Sequence, residues 1–413
     1  MVADSPVGVH TEVAVIGAGA AGLMAAIQAA QRGRRTVLLE KNRHPGLKIL
    51  ISGGGRCNLT TTRTGADLEA QYGLARGRFL RHALRSFPPT ALREFVEAAG
   101  VPLQEEDLEK IFPVSQKARD IVDALLRLVQ RSGATLRTGC AVRGIAASGT
   151  GFALDTDLGP IRADSVVLAT GGLSYRKTGA TGDGYAWCRA MGHTITATWP
   201  ALAPLLLDAP WVTSLQGIVL QGVDLAVLDP SGRERLRRRR PILFTHRGLS
   251  GPAPMDLAGD VEELQGKAQL EFDFVPELTR EALDAHFVQE AKVRGARQVA
   301  TALPMHLQER VRDTLVALAG AEGTLAGLSK VARRRLVETL KALRVPVRKS
   351  LGFEHAEVTR GGVALDEIDA RTMQSRKQPG LYLCGELLDV DGPIGGFNFQ
   401  AAFATARLAG LHA

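Results

Sequence analysis

Residues 12–32 of the chain read EVAVIGAGAAGLMAAIQAAQR, a stretch that predicts the fold class. The β-branched run Glu12 to Ile16 predicts a buried parallel strand. The next six residues, Gly17-Ala18-Gly19-Ala20-Ala21-Gly22, match the pattern G-x-G-x-x-G at a strand-to-helix turn. In this pattern Gly17 permits the tight turn, Gly19 lets the backbone approach a pyrophosphate, and Gly22 lets helix and strand pack closely. A helix from about Ala20 to Arg32 would direct its N-terminal amides at the diphosphate.

An acidic residue follows at the spacing that this motif requires. A second strand, Thr36 to Leu39, ends in Glu40, eighteen residues past Gly22. A carboxylate there accepts hydrogen bonds from a ribose diol and repels a 2′-phosphate. Strand, turn, helix, strand and acid in this order predict an α/β, Rossmann-like dinucleotide-binding domain. The pattern alone does not separate FAD from NAD.

The bulk properties exclude several classes of protein. At 413 residues, with 45% hydrophobic and 23% charged residues, the chain predicts an ordinary globular protein of two or three domains. It has no apolar run of about 18 residues and no secretory signal pattern, so we expect no membrane helix. Its four cysteines are scattered without a C-x-x-C, which argues against a disulfide scaffold, a metal site and a redox dithiol. A reducing cytoplasm is the simplest interpretation.

Positive charge is concentrated in the middle of the chain. Residues 291–350 contain 13 Lys or Arg and 4 Asp or Glu, and a second cluster consists of Arg237, Arg238, Arg239 and Arg240. One interpretation is a solvated, solubilising surface. The other is an anionic partner, of which RNA is the leading example.

A glycine-rich stretch, KILISGGGRCNLT, covers residues 48–60. Three consecutive glycines with Ser, Arg and Asn beside them favour a backbone nest for an anionic or carbonyl-rich ligand. The alternative is a flexible glycine loop.

This stretch resembles the signature of the BaiN/RdsA-type family of NAD(P)/FAD-dependent oxidoreductases. The resemblance continues in IFPVSQKA (111–118), LATGGLSY (168–175), TGATGDG (178–184), FTHRGLSGP (244–252), VTRGGV (358–363) and GLYLCGELLDVDG (380–392). It therefore covers essentially the whole chain. Two residues depart from the family pattern, since Arg176 stands where proline is usual and Arg247 stands where an aromatic is frequent.

The resemblance implies FAD as the cofactor, and the later motifs agree with that cofactor. Thr170-Gly171-Gly172 follows a predicted strand, Ser165 to Ala169, and would let backbone contact the dinucleotide. A second such strand, Gly380 to Cys384, precedes Gly385, Glu386 and Asp389. The run Gly392 to Asn398 leads into a predicted helix, Phe399 to Leu411, whose N-terminus would stabilise the N1–C2 edge of a reduced flavin. By the same comparison, Val142 marks a main-chain clamp on adenine.

The cofactor domain is predicted to be split in sequence. We expect residues 1–190 and 350–413 to form the FAD-binding domain. The resemblance and the pattern of short strands predict a β-barrel-like insert over 191–276 and about 344–349, with a hairpin tip at 229–232. Apolar spacing predicts a small helical module over 277–343, with helices at 281–292, 306–318 and 332–343. No second G-x-G-x-x-G is present, so NAD(P)H would bind transiently.

The candidate cofactor contacts span the N-terminal turn, the glycine-rich stretch and the C-terminal strand ends. They are Gly17, Ala18, Gly19, Ala20, Ala21, Gly22, Glu40, Lys41, Lys48, Ser52, Gly53, Gly54, Gly55, Arg56, Cys57, Asn58, Val142, Thr170, Gly171, Gly172, Gly385, Glu386, Asp389, Gly395, Gly396, Phe397 and Asn398.

The family implies NAD(P)H-driven reduction of a carbon–carbon double bond, in steroid-like enones or in uridine of ribosomal RNA. For the proton donor the candidates are Cys57, whose thiol pKa Arg56 would lower, and His246 in a polar turn. Each has a plain structural alternative, as a small buried hydrophobe or a capping group. Arg237–Arg240 are the candidate RNA contacts, and Lys110, Lys117 and Arg360 are further candidates for an anionic substrate. A second hypothesis is a flavin-containing RNA- or protein-binding module without turnover.

Overall fold

The computed structural model describes residues 9–413, which form two compact units. The first unit takes in the described residues through Trp199 together with Glu357–Ala413, and the second is Pro200–Ala356. The first unit is therefore interrupted in sequence by the second. The assignment of the cofactor to the first unit stays a prediction.

The N-terminal part of the first unit alternates strands and helices. Its strands are β1 (Val9–Ile16), β2 (Thr36–Glu40), β3 (Thr60–Thr61), β4 (Leu103–Glu106), β5 (Lys110–Pro113), β6 (Thr135–Thr138), β7 (Val142–Ser148), β8 (Gly151–Thr156) and β9 (Ile161–Leu168). Its helices are α1 (Ala20–Gln31), α2 (Leu47–Gly55), α3 (Gly65–Ala70), α4 (Leu74–Ser86), α5 (Pro89–Ala98), α6 (Ala118–Ser132) and α7 (Asp183–Ala190).

The boundary strand and the second unit follow in the chain. The strands are β10 (Trp199–Ala201), β11 (Leu205–Leu206), β12 (Val219–Leu220), β13 (Asp224–Leu228), β14 (Glu234–Arg239), β15 (Ile242–Thr245), β16 (Gly248–Ser250), β17 (Gln269–Asp273), β18 (Leu343–Pro346) and β19 (Lys349–Ser350). The helices are α8 (Pro210–Ser214), α9 (Pro252–Glu263), α10 (Arg280–Arg294), α11 (Glu309–Ala319) and α12 (Lys330–Ala342). The chain then returns to the first unit through β20 (Val358–Arg360), β21 (Leu381–Leu383) and α13 (Phe397–His412).

The main sheet of the first unit has the strand order β6-β2-β1-β9-β8-β7, with β21 paired to β9. The pairs of β1 with β2 and β9, of β2 with β6 and of β9 with β21 are all parallel. All five residues of β2 are buried, as expected for a parallel strand covered on both faces. The carboxyl ends of β1, β2, β9 and β21 therefore meet at one edge of the sheet, where Rossmann-type folds bind dinucleotides.

Helix α1 is buried on nearly all sides because it packs against both the sheet and α13. Its alanines let the neighbouring helix come close. A Cβ added at Gly410 of α13 would lie 2.4 Å from the Ala25 carbonyl oxygen. Substitution of this glycine would therefore push the two helices apart.

The second unit carries two small antiparallel sheets and four longer helices, α9 to α12. The sheet orders are β12-β15-β16-β11-β19 and β14-β13-β17-β18. The predicted tip at 229–232 is confirmed as the turn between β13 and β14, where the Asp229 amide donates to the Arg233 carbonyl at 2.9 Å. The predicted helices 281–292 and 332–343 are present as α10 and α12, each capped by a hydroxyl, of Thr279 and Ser329.

The third predicted helix of this unit, 306–318, begins later than expected, at Glu309. The Leu307 amide instead donates to the Pro304 carbonyl in a turn. None of the helices in residues 9–413 is both long and apolar enough to cross a membrane.

Candidate active site

The glycine turn after β1 shows which of its glycines serve internal packing and which faces open space. Gly17 has φ +97°, and a Cβ there would lie 2.6 Å from the Ala169 carbonyl oxygen. A Cβ at Gly22 would lie 1.6 Å from the Gly17 carbonyl oxygen. At Gly19 no described atom lies within 4 Å of the added Cβ. Gly17 and Gly22 thus close the turn, while the Gly19 backbone is open to a ligand, as the motif predicts.

The Glu40 carboxylate lies at the carboxyl end of β2 and is 7% exposed. Its Oε2 accepts a hydrogen bond from the Ala18 amide at 2.7 Å, and its Oε1 accepts from the Asn42 amide and side chain at 2.9 and 2.8 Å. These bonds fix the carboxylate beside the glycine turn. A carboxylate oxygen can accept two hydrogen bonds, and Oε2 accepts only one from the described residues. Glu40 can therefore also accept a hydrogen bond from a ribose hydroxyl.

Hydrogen bonds and an ion pair also hold the residues next to Glu40 in place. The Cys140 amide donates to the Glu40 carbonyl at 2.9 Å, which brings the start of β7 and the predicted clamp residue Val142 to this end of the sheet. The Lys41 ammonium contacts Thr181 Oγ1 at 2.5 Å and Asp183 Oδ2 at 2.7 Å. The sequence did not indicate Asn42, and it showed Asp183 only as part of TGATGDG.

Thr170 follows β9 and carries a buried hydroxyl without a hydrogen-bond partner among the described residues. An unpaired buried hydroxyl is costly unless a ligand or water satisfies it. A Cβ at the next position but one, Gly172, would lie 2.5 Å from Thr359 Oγ1. The backbone after β9 is therefore tightly packed against Thr359. The Thr170 hydroxyl is the group there that a ligand could hydrogen-bond.

Glu386, after β21, is tied to two other segments of the chain. Its Oε2 lies 2.5 Å from Lys48 Nζ, and its Oε1 accepts from the Thr359 amide at 2.9 Å. The structure thus brings together two predicted cofactor contacts, Lys48 and Glu386. It adds Thr359, which the sequence showed only as part of VTRGGV. Gly385 packs on α1, since a Cβ there would lie 2.9 Å from the Ala21 side chain.

The N-terminus of α13 is held by residues of the glycine-rich stretch. Gly396 has φ +84°, and a Cβ there would lie 2.4 Å from the Thr60 carbonyl oxygen. In the amide orientation that satisfies both neighbours, Asn58 accepts from the Gly396 amide at 3.0 Å and donates to the Thr60 carbonyl at 3.2 Å. Asn398 bonds both backbone groups of Gly392 at 2.9 Å. Phe397, the first residue of the helix, accepts from the Tyr72 hydroxyl through its carbonyl at 2.8 Å.

Asp389 is bound by protein side chains to a degree that the sequence did not indicate. Its Oδ1 accepts from Arg76 Nη2 at 2.8 Å and its Oδ2 from Thr196 Oγ1 at 3.2 Å. Arg76 also pairs with Asp391 at 3.0 Å, and Asp391 pairs with Arg360 at 3.1 Å. Asp389 and Arg360, predicted as separate contacts to cofactor and substrate, therefore belong to one ion-pair network.

The glycine-rich stretch forms the end of α2 and a turn of left-handed backbone. Ser52 donates to the Ile49 carbonyl at 2.7 Å, and Gly53, Gly54, Gly55 and Cys57 all have positive φ. The expected lowering of the Cys57 thiol pKa by Arg56 is wrong. Burial raises that pKa to about 12, and the Arg56 guanidinium is directed at Glu106 instead. A role for the protonated Cys57 thiol as proton donor stays a prediction.

The candidates in the second unit have different surroundings. His246 is exposed in the turn between β15 and β16, without a side-chain hydrogen bond to any described residue. Arg237 pairs with Glu234 and Glu271, and Arg239 with Asp224 and Glu277. Arg238 and Arg240 both pair with the buried Asp256. The four arginines are therefore compensated by carboxylates, which the sequence did not indicate because most of those acids lie on other elements.

A buried polar cluster at His193 was also missed by the sequence. His193 Nδ1 lies 2.9 Å from Glu367 Oε2, and its Nε2 lies 2.7 Å from Ser375 Oγ. Lys377 Nζ lies 2.6 Å from Glu367 Oε1. Burial opposes ionisation, but hydrogen bonds from Lys377, Thr194 and His193 lower the pKa of Glu367 to about 2. Ser375 Oγ also accepts two backbone amides, so the cluster fixes the loop before β21.

The residues at the carboxyl edge of the sheet fit a dinucleotide with a flavin ring. The open Gly19 backbone suits a diphosphate, the Glu40 carboxylate suits a ribose, and the unpaired Thr170 hydroxyl suits a further polar group. In residues 9–413 there is no group of three or more His, Cys, Asp or Glu side chains that could hold a metal ion. The fold is that of the Rossmann-type dinucleotide-binding class of proteins.

Comparison with known proteins gives the particular family. The family described as "HI0933-like protein Rossmann domain" matches residues 11–412, and the chain belongs to this family of FAD-dependent oxidoreductases. The ribosomal RNA dihydrouridine synthase of Escherichia coli is 34% identical over 395 residues, covering 95% of each chain. The 3-dehydro-bile acid delta(4,6)-reductase of Clostridium scindens is 30% identical, covering 96% of this chain and 98% of its own.

A solved structure agrees with the fold. The 3-ketosteroid delta1-dehydrogenase of Sterolibacterium denitrificans aligns with a TM-score of 0.53 at 14% identity, covering 98% of this chain and 99% of its own. At that identity the likeness concerns the fold alone.

Proposed function

We propose that the chain is a cytoplasmic FAD-dependent reductase that takes a hydride from NAD(P)H and reduces a carbon–carbon double bond conjugated to a carbonyl, with uridine in ribosomal RNA as the leading substrate. The observation that carries the proposal is full-length similarity to an enzyme named for dihydrouridine formation in ribosomal RNA. A second relative of that name, from Haemophilus influenzae, is 30% identical over 97% of this chain.

The first unit would hold the cofactor through groups already described. The Gly17–Gly22 turn and α1 would bind the diphosphate, Glu40 the adenosine ribose, and the α13 N-terminus the pyrimidine edge of the flavin ring. When bound, the flavin supplies two-electron hydride chemistry. The protein's own part is to bind and orient the substrate, to exclude water and to provide a proton.

The charge distribution supports a polyanionic substrate through one of the two predicted basic clusters, residues 291–350, and not through Arg237–Arg240. The Arg237–Arg240 cluster is ion-paired, whereas the helical part of the second unit carries cations that have no carboxylate of a described residue within 4 Å. The exposed ones are Lys292, Arg297, Arg310, Lys330, Arg334 and Arg335. Unpaired cations can contact phosphates without first breaking an ion pair, so we infer that any RNA contact involves this helical surface.

A small enone is the second candidate, and the bile acid reductase relative favours it. Both candidates share the chemistry of a double bond beside a carbonyl. They differ in charge, because only RNA would draw on the basic helical surface.

Product analysis separates the two candidates. The FAD-loaded protein is incubated with NADH or NADPH and either ribosomal RNA that lacks the modification or 4-androstene-3,17-dione. Dihydrouridine in the digested RNA, two hydrogen atoms heavier than uridine, supports the RNA substrate. A dihydro-steroid without dihydrouridine supports the enone. Oxidised nicotinamide without either product contradicts the proposal.

A further inference from the structure

Arg56, at the end of α2, uses only part of its guanidinium inside the protein. Its Nε donates to the Gly53 carbonyl at 3.4 Å, and its Nη1 donates to Glu106 Oε2 at 2.9 Å and to Gln116 Oε1 at 2.8 Å. Guanidinium has five N–H donors, of which these bonds use three. The two donors of Nη2 have no partner among the described residues.

The guanidinium is fixed on one face and open on the other. Its Cζ lies 4.2 Å from the centroid of the Phe112 ring, a cation–π contact, and Phe112 is only 2% exposed. The Arg56 side chain is nevertheless 42% exposed. Because the side chain is this exposed, a ligand can replace water as the acceptor of the two Nη2 donors.

The acid that orients Arg56 stays charged at neutral pH. Burial opposes ionisation of Glu106, but hydrogen bonds from Gln116, Gln104 and Arg56 hold its pKa below the usual range. Gln116 also bonds Glu106 directly at 2.7 Å, which closes a ring of three side chains. The position of the guanidinium is therefore set by groups that do not titrate near pH 7.

Backbone strain is concentrated around this arginine. Eight non-glycine residues among the described ones have positive φ, and four of them follow Arg56 directly, lie in the turn between β4 and β5, or bond Arg56 through their side chain. They are Cys57 (+64°), Leu108 (+62°), Glu109 (+60°) and Gln116 (+58°). Such conformations cost on the order of 1–3 kcal/mol each and cluster at functional sites.

The strained segment adjoins the N-terminus of α13. Asn58, two residues after Arg56, bonds the Gly396 amide that caps this helix. A Cβ at Gly53 would lie 2.9 Å from the Asn58 amide nitrogen and 3.1 Å from the Phe112 ring. Arg56, Phe112 and the N-terminus of α13 are thus connected through direct contacts of residues 53–58.

We propose that the two Nη2 donors of Arg56 bind the carbonyl oxygen of the substrate and stabilise the negative charge that develops there during reduction. This inference rests on the proposed function and names the group that acts on its substrate. A hydride from the reduced cofactor forms a C–H bond at the carbon β to the carbonyl, and the π electrons move onto the oxygen. Arg56 binds that enolate oxygen through a charge-assisted pair of hydrogen bonds. A proton then adds to the α carbon and the carbonyl reforms, so the substrate gains two hydrogens and two electrons.

The recognised chemistry is a conjugated carbonyl, which a pyrimidine ring and a 3-keto steroid both possess. Flat rings of either kind could lie beside the Arg56–Phe112 stack. The substrate arms of the experiment therefore identify the source.

The test compares Arg56→Ala and Arg56→Lys with the wild type and with a control, Arg63→Ala. Arg63 belongs to the same region and pairs with Glu109 at 2.6 Å, so its removal also deletes one cation there. The FAD-loaded proteins are reduced with dithionite without oxygen and mixed with unmodified ribosomal RNA or with 4-androstene-3,17-dione, and flavin reoxidation is followed by absorbance. Substrate affinity of the oxidised proteins is measured separately from the change in the flavin spectrum.

We expect Arg56→Ala to slow reoxidation on the order of 100-fold and to weaken binding of the reactive substrate. Arg56→Lys should recover part of the rate, because it keeps the positive charge. Recovery should be incomplete, because the lysine ammonium lacks the planar pair of donors of the guanidinium. Flavin content is measured for every variant, so that slower substrate reduction is distinguished from loss of cofactor, and Arg63→Ala should stay within about twofold of the wild type.

Wild-type reoxidation by one substrate with an equally fast Arg56→Ala would overturn the role of Arg56 and leave the proposed function standing. Failure of the wild type with both substrates would overturn both.

Discussion

Cys57 shows how burial can reverse an expectation drawn from a sequence neighbour. Arg56 precedes it in the chain, but the two side chains lie in different surroundings. Desolvation has the largest effect on the pKa of the Cys57 thiol. Burial likewise raises the pKa of Cys188 to about 12. All four cysteines are buried and free. Sequence adjacency therefore says little about the electrostatics of a residue in a tight turn.

The raised pKa predicts an unreactive thiol. Because the thiolate is the nucleophile, Cys57 in the native protein should resist iodoacetamide at pH 8 and react fully after unfolding in urea. The control is Ser231→Cys, which places a thiol at the exposed β13–β14 tip. Peptide mass analysis reports each site. Modification of native Cys57 at the rate of the control thiol would contradict the described burial.

Glu367 gives a prediction for stability against pH. Its pKa falls from the usual 4.5 to about 2 in the folded protein, so its stabilising contribution is complete above about pH 4.5 and is lost as the pH falls towards 2. Glu367→Gln should therefore be less stable than the wild type at pH 6, with a difference that shrinks below pH 4.5. Urea midpoints across pH 2.5–6 measure this. Glu322→Gln, at an exposed position, serves as the control, and a difference independent of pH would contradict the account.

At the scale of elements, the sequence predicted the parts whose signals are local. β1, β2, α1 and the C-terminal helix occur where the hydrophobic runs and glycines placed them, and their ends differ from the predictions by a few residues. The β3, β4 and β5 pairing was not predicted. Residues 103–113 are rich in charge and lack clean alternation, and β5 pairs with β3 about fifty residues away. Long-range pairing of this kind leaves no periodic signal.

Glycine 396 tests the packing of an element against its neighbour. Gly396→Ala would bring a Cβ to 2.4 Å from the Thr60 carbonyl oxygen at a φ of +84°. We expect a loss of about 2–4 kcal/mol in the free energy of unfolding, together with lower flavin retention. The control is Gly133→Ala, where φ is +85° but no atom of the described neighbours lies within 4 Å of the added Cβ, and the cost should be about 1 kcal/mol. Equal costs at both glycines would show that contact with Thr60 is unimportant.

Across the whole molecule, the number of charges along the chain does not show which cations are free of ion pairs and can bind an anionic partner. The four consecutive arginines Arg237–Arg240 were the second of two basic clusters in the sequence, yet carboxylates from five other positions compensate them. The site was likewise foreseen only in part. Gly19 and Glu40 follow from a local motif, but the Arg76–Asp389 pair joins residues more than three hundred positions apart. Only folding brings those groups together.

The helical surface of the second unit should carry the salt dependence of RNA binding. Arg334 and Arg335 on α12 are exposed and unpaired among the described residues, so Arg334→Ala/Arg335→Ala should lower RNA affinity and reduce the slope of log K against log salt by roughly 1.4–1.8. The matched control is Arg237→Ala/Arg239→Ala, which also removes two charges but from ion pairs, and its slope should change little. Filter binding at several salt concentrations gives both values. A larger loss of RNA affinity and a larger change of slope in the control variant would indicate that RNA binds at β14 instead.

We propose that the first unit binds FAD and that a nicotinamide cofactor reduces it. The most direct measurement is anaerobic absorbance of the reconstituted protein during titration with NADPH and NADH, followed by identification of the released flavin. We predict bound FAD whose absorbance near the flavin maximum is bleached by at least one of the two nucleotides. A protein that retains no flavin after reconstitution, or whose flavin neither nucleotide reduces, would contradict the account.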